Sequence, residues 1–529
     1  MARTTLDIPP PPKVREHVRR DAILCMMALT LTDPEMFRAG LERERLLHAH
    51  ATPRVHKQEL GQYFTSASIA DFMASLLPVQ EKAEIRILDP GAGIGGLACA
   101  FLARLSDEKG FHGKVSVDAY EIDTNLLARL ESNLGKSVVA VNGRATVHAE
   151  DFLKAAVQRV SARSTPRYSH VIMNPPYRKI RSDSSERGYA RELGLETVNL
   201  YAAFVGAAIA LTEDGGSIVA ILPRSFCNGS YYKPFREFIL KRCALERIHL
   251  FESRNSAFRD ESVLQENVII LLRKAVSQPE VVRVSHSMTD VFDGMSEIRV
   301  PFREIVKADD VERYINIPLP GRAGSPSVFD SVRGSLADLG VRVSTGPVVD
   351  FRVHDALRKN HSEGCVPLLY PVHFRNHRIR WPVESKRPNA LARTSSTERM
   401  AVPLSYYVVV KRFSAKEESK RIVASLVAPG DFPGVDALAF ENHLNVFSYG
   451  AGNLDKSLAY GLTAWLNTTY LDGRFRLFSG HTQVNATDLR NLPYPTAGQL
   501  RRMGELLERE GEWSQDIFDR VAEEGLYEQ

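Results

Sequence analysis

Between residue 56 and about residue 275, short apolar runs alternate with stretches long enough for a helix. The apolar runs fall at 85–88, 115–120, around Val147, and at 170–173, 217–222, 245–251 and 267–272. Helix-length segments fall at 69–77, 95–105, 125–134, 200–211 and 233–241. This alternation leaves the chain few folds. Strand–helix–strand units build a parallel sheet with helices on both faces. The last two runs are joined by too short a connection for a crossover, so an antiparallel edge hairpin is expected there.

The chain of 529 residues exceeds that pattern at both ends. At roughly 150 residues per domain, several domains are expected. The pattern divides it into a helical extension (1–55), the α/β domain (56–278), an irregular α+β domain rich in Pro, Gly and Ser (279–497), and a charged helical tail (498–529). With 44% hydrophobic and 25% charged residues it is a globular chain, not a disordered or collagen-like one. None of its five cysteines forms a Cys-x-x-Cys pair, so neither a zinc site nor a disulfide framework is expected. No run of 18 apolar residues occurs, and the N-terminus lacks a secretory apolar segment. A cytoplasmic protein without metal or membrane is the expectation.

Net charge is only +4, which by itself does not announce a nucleic-acid partner. Residues 351–430, however, hold 15 Lys+Arg against 6 Asp+Glu, a net of +9, which leaves −5 for the rest. Within this zone Arg375, Arg378 and Arg380 interleave with Phe374 and Trp381. A solvated surface strand and a phosphate-tracking face both fit this pattern.

The sharpest local signal is Ile85-Arg-Ile-Leu-Asp89-Pro-Gly91-Ala-Gly93-Ile-Gly95-Gly96-Leu. Its glycines allow a tight turn and close approach of a ligand. Gly91-x-Gly93-x-x-Gly96 also fits a dinucleotide fingerprint, so a nicotinamide cofactor is a rival at this point. Glu121 ends the second strand, where a carboxylate can take ribose hydroxyls, with Ile122 beside it. Asp151 ends the third, placed to accept from an adenine amino group, with Phe152 to flank the ring. At the end of the fourth strand comes Asn174-Pro175-Pro176-Tyr177. Open α/β sheets place their sites at such strand ends. Asn174 and the Pro175 carbonyl can both accept from one amino group, and Tyr177 supplies a ring for stacking. A nicotinamide enzyme would have no use for this tetrapeptide.

In this order of motifs the chain resembles the amino-group DNA methyltransferases that use S-adenosylmethionine. It is most similar to the gamma class of adenine-specific (N6) enzymes of type II restriction–modification systems. The resemblance spans most of residues 56–497. It includes Gly61-Gln62-Tyr63-Phe64-Thr65, which matches an upstream cofactor segment. It implies a Rossmann-like catalytic sheet followed by a target-recognition domain. It also implies a cofactor pocket of Tyr63, Thr65, Asp89, Gly91, Gly93, Gly95, Glu121, Ile122, Asp151 and Phe152. Catalysis would fall to Asn174, Pro175, Pro176 and Tyr177 on an adenine rotated out of double-stranded DNA. Phe258 is either a second ring on that base or a core residue. Arg375, Arg378, Lys411 and Arg412 become candidate DNA contacts. A cognate endonuclease acting on the same site is the expected partner. The alternatives are a methyltransferase subunit of a larger restriction or phage-defence assembly, and an N4-cytosine enzyme.

Overall fold

The computed structural model describes residues 34–51, 61, 63–79, 84–108, 111–162, 167–251, 266–318, 328–414, 417–449 and 454–527. They form two compact units. The first comprises residues up to Pro223 together with Phe238–Glu297; the second comprises Arg224–Glu237 and the chain from Ile298 onward.

In chain order the first unit runs α1 (Pro34–Ala51), α2 (Ala67–Leu76), β1 (Glu84–Pro90), α3 (Gly96–Asp107), β2 (Lys114–Tyr120), α4 (Thr124–Val139), β3 (Arg144–His148), α5 (Phe152–Ala162), β4 (Tyr168–Met173), α6 (Ser185–Glu192), α7 (Leu200–Leu211) and β5 (Thr212–Pro223). It closes with β6 (Cys243–Phe251), β7 (Asn267–Lys274), β8 (Val281–Ser287) and β9 (Ser296–Pro301), within which the division between the units falls. The sheet order is β3-β2-β1-β4-β5-β7-β6-β8-β9. β1 to β5 pair in parallel, and β7 inserts antiparallel between β5 and β6. This is the α/β class that the alternating pattern implies. β8 and β9 extend the sheet beyond the antiparallel pair, so the sheet runs past residue 278.

Burial explains which segments became which element. All six residues of β4 are buried, as a strand between parallel neighbours requires. α7 reads LYAAFVGAAIAL and is apolar on every side, so it packs as an interior helix rather than an amphipathic one. From β1 the chain moves outward to β2 and β3 on one side, then returns to β4 and β5 on the other. That reversal makes β1/β4 the switch point, where the loops diverge and leave a crevice at the strand ends.

The second unit holds a four-stranded antiparallel sheet of Val341–Thr345, Leu444–Tyr449, Tyr407–Lys411 and Ala424–Val427. A mixed five-stranded sheet includes Cys365–Leu369 and Ala437–Phe440. Its largest core joins strand residues such as Val408 and Phe447 to Trp465, Leu500, Met503 and Phe518. The charged segment 498–529 therefore packs into this core through one face of the helices Ala497–Glu508 and Gln515–Leu526. A Cβ on Gly461, in the helix Lys456–Leu466, would meet the Leu500 carbonyl at 1.8 Å, so this helix and Ala497–Glu508 touch backbone to backbone.

Residues 224–237 leave the α/β pattern to join this unit. Arg236 is fully buried and donates to the carbonyls of Phe226, Asn228, Gly229 and Glu312, with its guanidinium 5.1 Å from the Tyr314 ring. Phe258 lies outside the described residues.

Candidate active site

At the switch point the first unit contains a cavity of about 680 Å³. Its lining includes Tyr63, Thr65, Gly91, Gly93, Glu121, Ile122, Asp151, Phe152, Asn174 and Pro176. Ten of the residues named from the sequence thus converge on one space.

The glycine turn after β1 is fixed to β2. The Gly91 and Ala92 amides both donate to the Tyr120 carbonyl at 2.9 Å. Gly93 has φ +58°, and a Cβ there would meet the Phe64 ring at 3.0 Å, so the turn requires glycine. The Glu121 carboxylate accepts from three backbone amides: Gly93 at 2.8 Å, Ile122 at 2.9 Å and Asp123 at 2.8 Å. Burial still raises its pKa above the usual carboxylate value, against the pull of those bonds. A carboxylate has about four acceptor sites, so at least one remains for a hydroxyl in the cavity. Ile122 is 58% exposed beside it, an apolar face at the same opening.

Asp151 caps α5 by accepting from the Lys154 amide at 3.0 Å. Phe152 is buried, with its ring 5.2 Å from those of Tyr120 and Phe204. Asp89 and Gly95 do not line the cavity. Asp89 is fully buried, and its Oδ2 accepts from the Ala98 amide at 3.3 Å. Its Oδ1 finds no partner. Burial, with the Glu121 charge adding to it, pushes its pKa up to about 7. Gly95 (φ +87°) caps α3, and a Cβ there would strike Leu130. Both residues shape the turn from behind.

The loop after β4 is held from upstream. The Asn174 Nδ2 donates to the Tyr63 carbonyl at 2.8 Å and to the Thr65 hydroxyl at 3.0 Å. A carbonyl can only accept, so this contact fixes which way the amide faces. Both amide hydrogens are engaged, and Oδ1 is the acceptor that Asn174 presents. The Tyr177 amide donates to the Gly61 carbonyl at 3.0 Å. Gly61 has φ +66°, and a Cβ on it would lie 2.9 Å from the Tyr177 nitrogen. Gly61, Tyr63 and Thr65 thus clamp the Asn-Pro-Pro-Tyr loop. Tyr177 is half-buried, its hydroxyl donating to the Ile221 carbonyl at 2.9 Å and its ring 5.8 Å from that of Tyr63. Burial raises its phenol well above the ordinary value. Pro175, within the loop, is buried.

Several lining residues carry no motif that a sequence reading would catch. α1 contributes Phe37, Leu41, Glu42 and Arg45. Glu42 accepts from the Ala67 amide at 3.0 Å, capping α2, and is itself held by the buried Arg45 at 2.6 and 3.0 Å. Phe204 on α7 and Arg178 after the Asn-Pro-Pro-Tyr loop are also part of the wall. Phe64 was visible only as part of the upstream pattern.

In the second unit the four candidate cations differ in their surroundings. Arg375 is exposed on the hairpin Phe374–Arg375/Arg378–Ile379. The Arg378 guanidinium lies 4.0 Å from the Trp513 ring centre. Arg412 donates to the Asn442 carbonyl at 3.2 Å. Lys411 lines a smaller cavity of about 460 Å³ with Tyr370, Phe413 and His443. Among the described residues no group of His, Cys, Asp and Glu could hold a metal, and no helix is long and apolar enough to cross a membrane.

The main cavity suits S-adenosylmethionine. Its volume is that of a small-molecule site. A buried carboxylate faces a ribose-sized space, and the glycine turn leaves open what a side chain would fill.

Comparison with known proteins extends this assignment. The model of the Eco57I restriction-modification methylase family matches residues 76–258. Over 457 residues the chain is 44% identical to the Type II methyltransferase M.BsuBI of Bacillus subtilis, covering 85% of this chain and 90% of that protein. Over 486 residues it is 39% identical to the Type II methyltransferase M.PstI of Providencia stuartii, covering 89% and 93%. A shorter match, 33% over 145 residues (27% of this chain, 53% of that protein), is to a tRNA1(Val) (adenine(37)-N6)-methyltransferase of Salmonella arizonae. The cavity, the clamped loop beside it and two relatives matched along nearly their whole length agree: the chain belongs to the type II DNA methyltransferases of restriction–modification systems and takes its methyl group from S-adenosylmethionine.

Proposed function

We propose that the chain is a site-specific DNA adenine N6-methyltransferase, acting in the cytoplasm as the modification enzyme paired with an endonuclease of the same specificity. The observation that carries this reading is the orientation of Asn174. Its Nδ2 faces Tyr63 and Thr65, so Oδ1 is the acceptor at the cavity. An acceptor there, with the Pro175 carbonyl beside it, suits an exocyclic amino group and not a ring carbon or a hydroxyl. The family of one shorter relative carries the same adenine N6 chemistry in its name.

The mechanism follows from these positions. The target adenine leaves the duplex, since its amino group is unreachable within it. Tyr177, with its hydroxyl tied to Ile221, gives a fixed ring for the base, and Phe258 is the proposed second ring. Such stacking contributes about 1–3 kcal/mol per base. Asn174 and the Pro175 carbonyl accept the two amino hydrogens. The nitrogen lone pair is thereby held out of conjugation with the ring. Bound S-adenosylmethionine supplies an electrophilic methyl on a sulfonium. Glu121 and Asp151 would hold its ribose and adenine ends, and Tyr63 and Thr65 would border its methionine end. Positioning and fixed dipoles account for the rate, and the amino nitrogen, positively charged and acidic once methylated, sheds its extra proton to solvent without a dedicated strong base. In the second unit Arg375 and Lys411 are the proposed DNA contacts. Arg378 and Arg412, each already in contact with protein, support that surface.

Expression of the chain in a host lacking adenine methylation, followed by genome-wide reading of modified bases, tests the proposal. N6-methyladenine in one sequence context is the expected result. N4-methylcytosine, or no modified base, overturns it.

A further inference from the structure

Directly after the catalytic tetrapeptide the chain reads Arg178-Lys179-Ile180-Arg181, a cluster of cations the mechanism above does not use. The backbone here is fixed on two sides. The Ile180 amide donates to the Val198 carbonyl and the Leu200 amide to the Arg178 carbonyl, both at 2.9 Å, and Lys179 bridges Asn199 antiparallel. Gly61 presses on the other side, where a Cβ would lie 3.4 Å from the Arg178 nitrogen. These cations therefore stand at set positions relative to Asn174, with two rigid prolines between. Arg178 lines the cavity itself, held at 2.5 Å by Glu186 from the first turn of α6. Lys179 is exposed, and among the described residues no carboxylate pairs with it. The Arg181 side chain is 85% exposed, 3.5 Å from Asp183, itself 72% exposed, a contact of little energetic weight.

A base drawn into the cavity remains tied to two phosphodiesters. Each carries a negative charge that must come to rest at the mouth. We infer that Arg178, Lys179 and Arg181 form a phosphate clamp for the extruded nucleotide, a DNA contact belonging to the catalytic unit itself. This inference rests on the DNA-adenine reading above. Phosphate contacts fix register without reading sequence. The clamp therefore governs how firmly the flipped state is held, and leaves the choice of site alone. Glu186 holds the Arg178 guanidinium in place when no phosphate is present.

The test uses the full chain and a duplex carrying the sequence found by the modified-base experiment, with 2-aminopurine at the target position. Lys179→Ala and Arg181→Ala, both exposed, avoid disturbing the fold; Arg178→Lys keeps the charge where Arg178→Ala removes it. Each cation lost is expected to lower the slope of log Kd against log salt by about 1. It should also reduce the 2-aminopurine fluorescence at saturation while the methylated sequence stays as it was, and in Lys179→Ala and Arg181→Ala, which lie outside the cavity lining, S-adenosylmethionine affinity stays at the wild-type value. Unchanged slope and fluorescence in the triple alanine variant overturn the clamp alone. A wild-type chain that binds no duplex overturns both the clamp and the DNA reading.

Discussion

The two regions proposed to meet ligands are built in opposite ways. In the first unit two groups that face the cavity are held by backbone, Glu121 by three amides and Asn174 by the Tyr63 carbonyl, and the adjoining loop is tied through the Tyr177 amide to the Gly61 carbonyl. In the second unit Arg375 and Lys411 are long side chains on strand surfaces, and their reach depends on rotamers. A site made by backbone tolerates almost no substitution. A surface made by side chains distributes its work, and each loss is small.

The largest effect expected from this contrast is at Asn174. Asn174→Ala removes the acceptor at the reacting nitrogen. Methyl incorporation should fall by orders of magnitude while duplex binding in a gel-shift titration stays near wild type. Substantial turnover in that variant would break the mechanism.

Gly61→Ala comes next, although Gly61 has no side chain to offer a ligand. A left-handed backbone costs a non-glycine residue about 1–2 kcal/mol. The added methyl also pushes on the Tyr177 nitrogen. Displacement of a reacting group by an ångström can cost about 100-fold in rate. A drop in both melting temperature and kcat, with the S-adenosylmethionine Kd little changed, is the expected pattern in calorimetry and kinetics. Wild-type kcat would show that the upstream clamp is ornamental.

Glu121→Gln separates cofactor binding from catalysis. Loss of a charged hydrogen bond to a hydroxyl, about 1.5–3 kcal/mol, predicts a Kd weaker by roughly 10- to 100-fold in titration calorimetry. An unchanged Kd would remove Glu121 from the pocket.

Asp89 gives a smaller, pH-dependent effect. Its folded pKa of about 7 lies above the ordinary 3.8. The folded state therefore holds the proton more tightly than the unfolded one. The stability this contributes is complete below pH 4 and is lost as pH rises toward 7. Asp89→Asn cannot ionise, so its melting temperature relative to wild type should climb between pH 4 and 7 and level off above. A difference flat across that range would contradict the assigned burial.

Smallest of all, Lys411→Ala or Arg375→Ala should each weaken duplex binding modestly, with a salt slope lower by about 1 if the contact is to phosphate. A change in the methylated sequence instead would make that side chain a base reader.

The catalytic half was legible because its signals are local. A glycine turn, an acid at a strand end and Asn-Pro-Pro-Tyr each declare a backbone shape within a few residues. Strand–helix alternation then says that they meet at one edge of a sheet. What stayed hidden depends on distant pairing. Nothing in the sequence of α1 says that Glu42 will cap α2 or that Phe37 will wall the cavity. The tail 498–529 looks charged because only one face of each helix is apolar, and that face is the part that enters the core. Asp89 read as a pocket residue because it adjoins the glycines, yet strand alternation turns it toward α3. The expected boundary at residue 278 missed two further strands, β8 and β9, which follow the hairpin without the helix that marked the earlier ones.

The return of residues 224–237 to the second unit bears on how that unit could be exchanged between relatives. A recombination that replaced only the chain from residue 298 onward would bring in a new partner for the old Arg236, whose guanidinium holds the Glu312 carbonyl and faces Tyr314. It would likewise set a foreign Gly480 against Arg224, where a Cβ would lie 2.7 Å from the backbone. The second unit is thus inherited as two cassettes that must match each other, and a single crossover between relatives delivers only one of them.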